Sequence, residues 1–229
     1  MGVDNNSREI VIIAKSRKHS DYCIAGIDCK SVELVRVITD NENNGYAVSA
    51  KDIIDEDGTI AEVLDNVVIV TDDNDIEIPH QPENIMLDTG HYVLNKGQYK
   101  RKDLRKMIDK LSNKYEYIFF NSNKCISQSE FEEINENERH SLEIVNAEYL
   151  TIRVKDIEKK TLKASIKYNG VWYNSLSITD CDFERRYYEN VANSPFEYIT
   201  LYNQYVLLSL GENFNGNYYK LIACILSIY

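Results

Sequence analysis

The stretch Lys163-Ala-Ser-Ile-Lys-Tyr-Asn-Gly-Val-Trp-Tyr173 constrains the chain more than any other part of it. Asn-Gly between two runs of alternating polarity marks a two-residue β-turn, because both residues tolerate the positive φ that a tight hairpin needs. Such a turn sets the register: Tyr168 lies opposite Val171, and Lys167 opposite Trp172. Alternation then sorts the faces. Ala164, Ile166, Tyr168 and Tyr173 share an apolar face, while Lys163, Ser165, Lys167, Trp172 and Asn174 share a polar one. An isolated hairpin is marginal in water, so its apolar face needs further strands.

The chain supplies them. Residues 9–15, 22–27, 32–39 and 66–71 are short runs rich in β-branched residues, with turn chemistry at 41–45 (NENNG) and an acidic turn at Asp72, Asp73 and Asp75. Residues 76–79 are expected as a short edge strand, and 80–84 (HQPEN) as a polar loop, since Pro82 bars it from a central strand. The period changes at 101–114 (RKDLRKMIDKLSNK), where Leu104, Ile108 and Leu111 recur at helical spacing. Residues 115–120 are expected as a strand. Ser127 and Glu130 form a capping box before a short helix. Strands return at 141–146, 150–154, 161–168 and 171–178. Asp180 then caps a helix over Phe183, Tyr187 and Val191, and two strands follow at 199–209 and 218–228. Val37-Ile-Thr-Asp40 and Ser177-Ile-Thr-Asp180 echo each other at strand ends.

A chain of 229 residues with this order suits a mainly β protein of two tandem OB-like Greek-key barrels joined by a helical segment. The expected division is residues 1–100, 101–139 and 140–229. Seventeen tyrosines against one tryptophan and six phenylalanines favour strands and stackable surfaces. Five scattered cysteines without a C-x-x-C pair read as reduced thiols of a cytoplasmic protein. The longest early apolar run, residues 10–14, is too short for a signal-peptide core. The net charge of −11 divides as −10 over residues 1–100, zero over 101–140 and −1 over 141–229. A general attraction to nucleic acid is therefore not expected, and any polyanion site must be local.

The segments AKSRKHSDYCIAGID (14–28), HQPEN (80–84), SLEIV (141–145), KASIKYNGVWYNSLSITD (163–180) and LLSLGENFNGNYYKLIACI (207–225) together resemble the bacterial dual OB-fold domain family. The resemblance covers most of the chain, apart from residues 41–78 and the middle helical stretch. It implies two OB-type barrels and, by analogy with the fold, binding rather than catalysis. Where the family pattern places Trp and Arg at a strand end, this chain has Val35 and Arg36, which removes a stacking ring there.

Three basic groups are candidates for contacting phosphate. Lys15, Arg17, Lys18 and His19 cluster in five positions, either as a grip on backbone phosphates or as a solvated turn balanced by Asp21 and Asp28. Arg101, Lys102, Arg105, Lys106 and Lys110 coat the helix at 101–114, either for a polyanion or as a solvated face. Lys163, Lys167 and Trp172 combine cations with a ring on one strand face, the mixture used by single-strand binders; the alternative is that Trp172 packs on the lysine stems.

Metal and catalytic patterns are lacking. The calcium-loop mimic at 40–45 meets Lys51 at its twelfth position, and His80 and His91 have no supporting Cys or His pair. There is no G-x-S-x-G and no phosphate-cradling glycine loop. His80 with Glu83, as an acid–base pair, is better read as loop scaffolding. The expected function is a non-catalytic module, without metal or cofactor, that recognises single-stranded or structured RNA or DNA. The alternative is a sensor for a small nucleotide-like ligand, or a protein adaptor.

Overall fold

The computed structural model describes residues 6–72 and 76–226, and the chain divides into two compact units between Leu111 and Ser112. The first unit contains β1 (Ser7–Lys18), β2 (Asp21–Asp28), β3 (Leu34–Ile38), β4 (Asp65–Val70), β5 (Asn84–Met86), β6 (Leu94–Gln98) and α1 (Arg101–Leu111). The second contains β7 (Cys125–Ser127), α2 (Gln128–Glu132), β8 (Leu142–Asp156), β9 (Thr161–Tyr168), β10 (Val171–Ile178), α3 (Cys181–Ala192), β11 (Tyr198–Phe214) and β12 (Asn217–Ile225). The expected connecting segment, 101–139, is thus shared: α1 goes with the first unit, and the remainder with the second.

Both units repeat one pairing scheme. In the first, β1 pairs β2 and β4, β2 pairs β3, and β3 runs parallel to β5. A bridge between Thr71 and Leu87 joins the ends of β4 and β5. In the second, β8 pairs β9 and β11, β9 pairs β10, β11 pairs β12, and β10 runs parallel to β12. Each set of pairings makes a circuit, so the strands within it turn a face inward. Ile10, Ile12, Ile24, Val37, Val67 and Ile69 fill the first core. Leu150, Ile152, Leu162, Ile166, Tyr173 and Val206 lie at the heart of the second. β1 is buried on both faces from Ile10 to Ala14, which accounts for its unbroken apolar run. β2 crosses it so closely at Gly26 that a Cβ there would lie 2.9 Å from the Val11 carbonyl oxygen.

The anticipated hairpin forms with the anticipated register: Tyr168 faces Val171, Lys167 faces Trp172 and Tyr173 faces Ile166. Asn169 and Gly170 both take positive φ, 47° and 77°, as a type I′ turn requires. The capping box of α2 is present. Asp180 caps α3 through Phe183 N at 2.9 Å, and its second oxygen accepts from Ile225 N at 3.0 Å. α3 buries Phe183, Tyr188 and Val191; Tyr187 instead stacks on Phe183 from the rim.

Several expectations are corrected. Residues 76–78 form no edge strand, because β4 is already paired on both sides, by β1 and β6. The acidic turn falls partly on residues 73–75, outside those described. The two strands expected at 141–146 and 150–154 are one, β8, since β11 pairs along nearly its whole length. Residues 115–120 are not a strand. Phe119 and Phe120 have positive φ (42° and 72°), and the backbone groups of this segment are claimed by side chains. Ile118 N donates to the Tyr173 hydroxyl and Phe119 N to the buried carboxylate of Glu143.

The same segment receives the buried ammonium of Lys220. Its Nζ donates to the carbonyl oxygens of Ile118 and Asn121 and to Asn121 Oδ1, and lies 4.9 Å from the centre of the Tyr173 ring. Burial lowers its pKa to about 7, while Glu143 pulls the other way. Above that pH the unfolded chain holds a proton that the folded chain has released, so folding stability gained from this group rises from about pH 7 toward the ordinary lysine range. Lys220→Met should abolish that rise and leave the carbonyl oxygens unsatisfied, costing about 1–3 kcal/mol at alkaline pH. Urea denaturation of both chains between neutral and alkaline pH measures both effects.

Candidate functional site

Of the three candidate basic groups, one is set on a strand face among several exposed rings. Lys15 is not in a loop. It lies within β1, its Nζ 3.0 Å from Glu62, 3.1 Å from the Ala61 carbonyl oxygen and 5.0 Å from the Tyr22 ring centre. That pairing ties its charge to the chain's own carboxylate. Arg17 and Lys18 end β1, and His19 begins a tight turn with φ 51°. Arg101 and Arg105 lie on α1, where Arg105 pairs with Asp109 (2.9 Å) and Lys106 with Asp103 (2.8 Å), so much of the helix's positive charge is balanced locally. Lys163, Lys167 and Trp172 belong to the second unit and share one outward face.

The register of four strands orders that face into rows. Tyr202 on β11, Tyr149 on β8, Lys167 on β9 and Trp172 on β10 lie side by side. The next outward row is Thr200, Thr151 and Ser165, met on β10 by Asn174 and Ser175 at a bulge. The third is Tyr198, Arg153, Lys163 and Ser177. The rows between these are apolar and point to the core: Leu150 with Ile166 and Tyr173, then Ile152 with Ala164 and Leu176.

In the first row the rings are exposed and in contact. Tyr149 lies 6.1 Å from Trp172 and 5.3 Å from Tyr202, and Lys167 lies 5.4 Å from the Tyr149 ring centre. Trp172 is 45 % exposed and Tyr202 59 %, so their faces are open to a partner. In the middle row the hydroxyls of Thr151 and Thr200 are 3.2 Å apart. In the third, Arg153 lies over the Tyr198 ring at 5.3 Å, and Lys155 donates to the Ser177 hydroxyl at 2.9 Å. A concavity of ≈ 340 Å³ joins the rows, walled by Trp172, Asn174, Thr151, Ser165, Arg153 and Lys163.

Electrostatics distinguish the two ends. Lys167 is held by Glu148 at 2.9 Å, which raises the lysine pKa and lowers that of the carboxylate. Arg153 and Lys163 stand directly opposite each other on β8 and β9, and among the described residues neither makes an ion pair. Like charges in that position oppose strand pairing, so the arrangement favours an anion arriving between them. Two backbone irregularities flank the face: Asn203 (φ 52°) on β11 and Ser175 (φ 59°) on β10. The second lies at a bulge, where β10 shifts register between Tyr173 and Leu176; bulges re-aim side chains and recur beside binding sites.

Sequence reasoning missed Tyr149, Thr151, Arg153, Tyr198, Thr200 and Tyr202. Their signal was present as two parallel patterns, Tyr-Leu-Thr-Ile-Arg at 149–153 and Tyr-Ile-Thr-Leu-Tyr at 198–202. Both alternate polar-out with apolar-in. Only pairing shows that the two polar sets adjoin each other and the hairpin. Among the described residues no group of His, Cys, Asp and Glu is arranged to hold a metal ion, and no helix is long and apolar enough to cross a membrane.

A family model described as a dual OB-containing domain matches residues 8–225. None of the curated proteins compared with the chain matches it.

Glu148→Gln should return the Lys167 pKa toward the ordinary lysine value, since the carboxylate is the first cause of its rise. Thermal stability should scarcely change, because exposed ion pairs contribute little. A carbon NMR titration of the lysine side chains, with a melting curve, checks both.

Proposed function

Because the chain belongs to the dual OB-containing domain family, we propose that it is a binding module whose second unit takes single-stranded nucleic acid across the outward face of β8–β11. The observation that carries this reading is the facing pair Arg153 and Lys163, without carboxylate partners among the described residues, two outward rows along the strands from exposed rings in a chain of net charge −11. Single-strand binders stack bases on aromatic side chains while cations track the backbone. Tyr202, Tyr149 and Trp172 offer the rings; Arg153, Lys163 and Lys155 offer the cations. The three rows contain no carboxylate, imidazole or thiol, which fits binding without chemistry. The acidity of the first unit argues for a local site of this kind rather than general adhesion to polyanions.

A small nucleotide-like ligand is the second reading, favoured by the concavity of ≈ 340 Å³ beside Trp172, which falls in the size range of small-molecule sites. Length dependence separates the two. A strand gains affinity with each added nucleotide until the face is covered, whereas a mononucleotide site does not.

The expected affinity for an unstructured oligonucleotide falls with salt at a logarithmic slope of roughly −0.7 per phosphate contacted. Arg153→Glu with Lys163→Glu should reduce the steepness of that slope by about 1.4, equivalent to two lost contacts. Trp172→Ala should cost about 1–3 kcal/mol of affinity with little change in slope, because a stacked base is lost but no phosphate contact. Fluorescence anisotropy across a salt series reads both. Binding that does not depend on salt and survives both changes would remove the proposal.

A further inference from the structure

The order of the three rows carries information beyond the presence of rings and cations. Alternate residues of a strand are about 6.7 Å apart. Reading down the strands, three rings with Lys167 come first, then hydroxyls and an amide, then the cations Arg153 and Lys163 between Tyr198 and Ser177. A nucleotide has the same order, base, sugar, phosphate, over a shorter span that the reach of the Arg153 and Lys163 side chains makes up. With bases on Tyr149 and Trp172, and phosphates at Arg153 and Lys163, the sugars lie over Thr151, Ser165 and Asn174, the residues that wall the concavity.

We infer that, on the reading proposed above, the second unit prefers RNA to DNA because its middle row of Thr151, Thr200, Ser165 and Asn174 reads the ribose 2′-hydroxyl. The 2′-hydroxyl both donates and accepts, and it is the group by which a protein distinguishes the two sugars. The middle row is matched to such a group. Thr151 and Thr200 hydroxyls are 3.2 Å apart, so one donates to the other. The accepting hydroxyl keeps its own hydrogen for a further partner. Ser165 and Asn174 add a hydroxyl and an amide beside them, each able to donate and to accept. Thr151, Thr200 and Ser165 are half-buried between the ring row and the cationic row. A strand seated on both rows displaces the water that satisfies them, and a deoxyribose offers no hydroxyl in return. Leaving such a group without a partner is where discrimination arises.

The three rows also differ in what they ask of a ligand. Rings stack any base, and cations take any phosphate; neither distinguishes ribose from deoxyribose. On this inference that role falls to the middle row, since the Ser177 hydroxyl of the third already accepts from Lys155, which lets sugar preference be removed separately from strand binding.

The test compares an oligouridylate of roughly eight nucleotides, within the span of one OB unit, with its 2′-deoxyuridine and 2′-O-methyl counterparts, using the full chain at fixed salt. The ribose strand should bind roughly ten-fold more tightly than either, the equivalent of about one hydrogen bond. Thr151→Val with Ser165→Ala should bring the ribose-to-deoxyribose ratio close to one; valine suits a strand, alanine removes only the hydroxyl, and circular dichroism verifies the fold. The 2′-O-methyl strand repeats the test on the unaltered chain, so the outcome does not depend on the variant folding. Equal binding of ribose and deoxyribose strands by the unaltered chain, or tighter binding of the deoxyribose strand, overturns the inference and leaves single-strand binding standing. Binding of neither overturns both.

Discussion

Two residue pairs in parallel register, Ser177 with Leu221 and Ile178 with Ile222, determine the form of the second unit. Without them β10 would be an open edge, and the apolar row of Leu176, Ile178 and Tyr173 would meet water. With them the strands run round in a circuit, inward rows bury one another, and outward rows are held at fixed spacing. The first unit uses the same device: Val37 pairs with Ile85 and Ile38 with Met86. The faint echo between residues 37–40 and 177–180 falls on these two places. In each, the third strand ends on a parallel partner, and a threonine follows whose hydroxyl donates to a backbone carbonyl, Thr39 to Ala47 and Thr179 to Ile222.

The outward face inherits its order from this arrangement. A side chain on β8 adjoins its counterpart on β9 because the circuit allows no slip: shifting one strand by one residue would carry lysines into the core. The two units are dressed differently. Where the second sets Arg153 against Lys163 without a carboxylate partner, the first pairs Lys15 with Glu62, and Lys96 with Glu9 at 2.7 Å. The irregular segment 115–121, pinned by Tyr173, Glu143 and Lys220, covers core rather than face. It leaves the rings of Tyr149, Trp172 and Tyr202 open.

Much of the fold was legible in the residues. Asn169-Gly170, the Ser127 capping box and Asp180 were each readable because their physics is confined to a few neighbours: a φ preference, a side-chain oxygen, an orphan N–H. The candidate site was legible only on its hairpin side. Lys163, Lys167 and Trp172 could be placed on one face from turn type and alternation. Lys15 looked equally promising, because its sequence neighbourhood is cationic; its partner Glu62 is distant in the chain and became its neighbour through β1–β4 packing. Residues 115–120 looked like a strand because Ile, Phe and Tyr favour strands, yet side chains from β8 and β10 claimed its N–H groups.

The sequence by itself determined the two-faced strands, the hairpin register, the helix starts and the excess of negative charge, all of which depend on period or composition over a few residues. Tertiary structure alone decided that Tyr149, Thr151 and Arg153 should adjoin Tyr202, Thr200 and Tyr198 on one side and Lys167, Ser165 and Lys163 on the other. The reason is that side-chain alternation is a property of one strand, whereas the order of rows across strands depends on pairings between strands, which link residues as distant as Tyr149 and Tyr202.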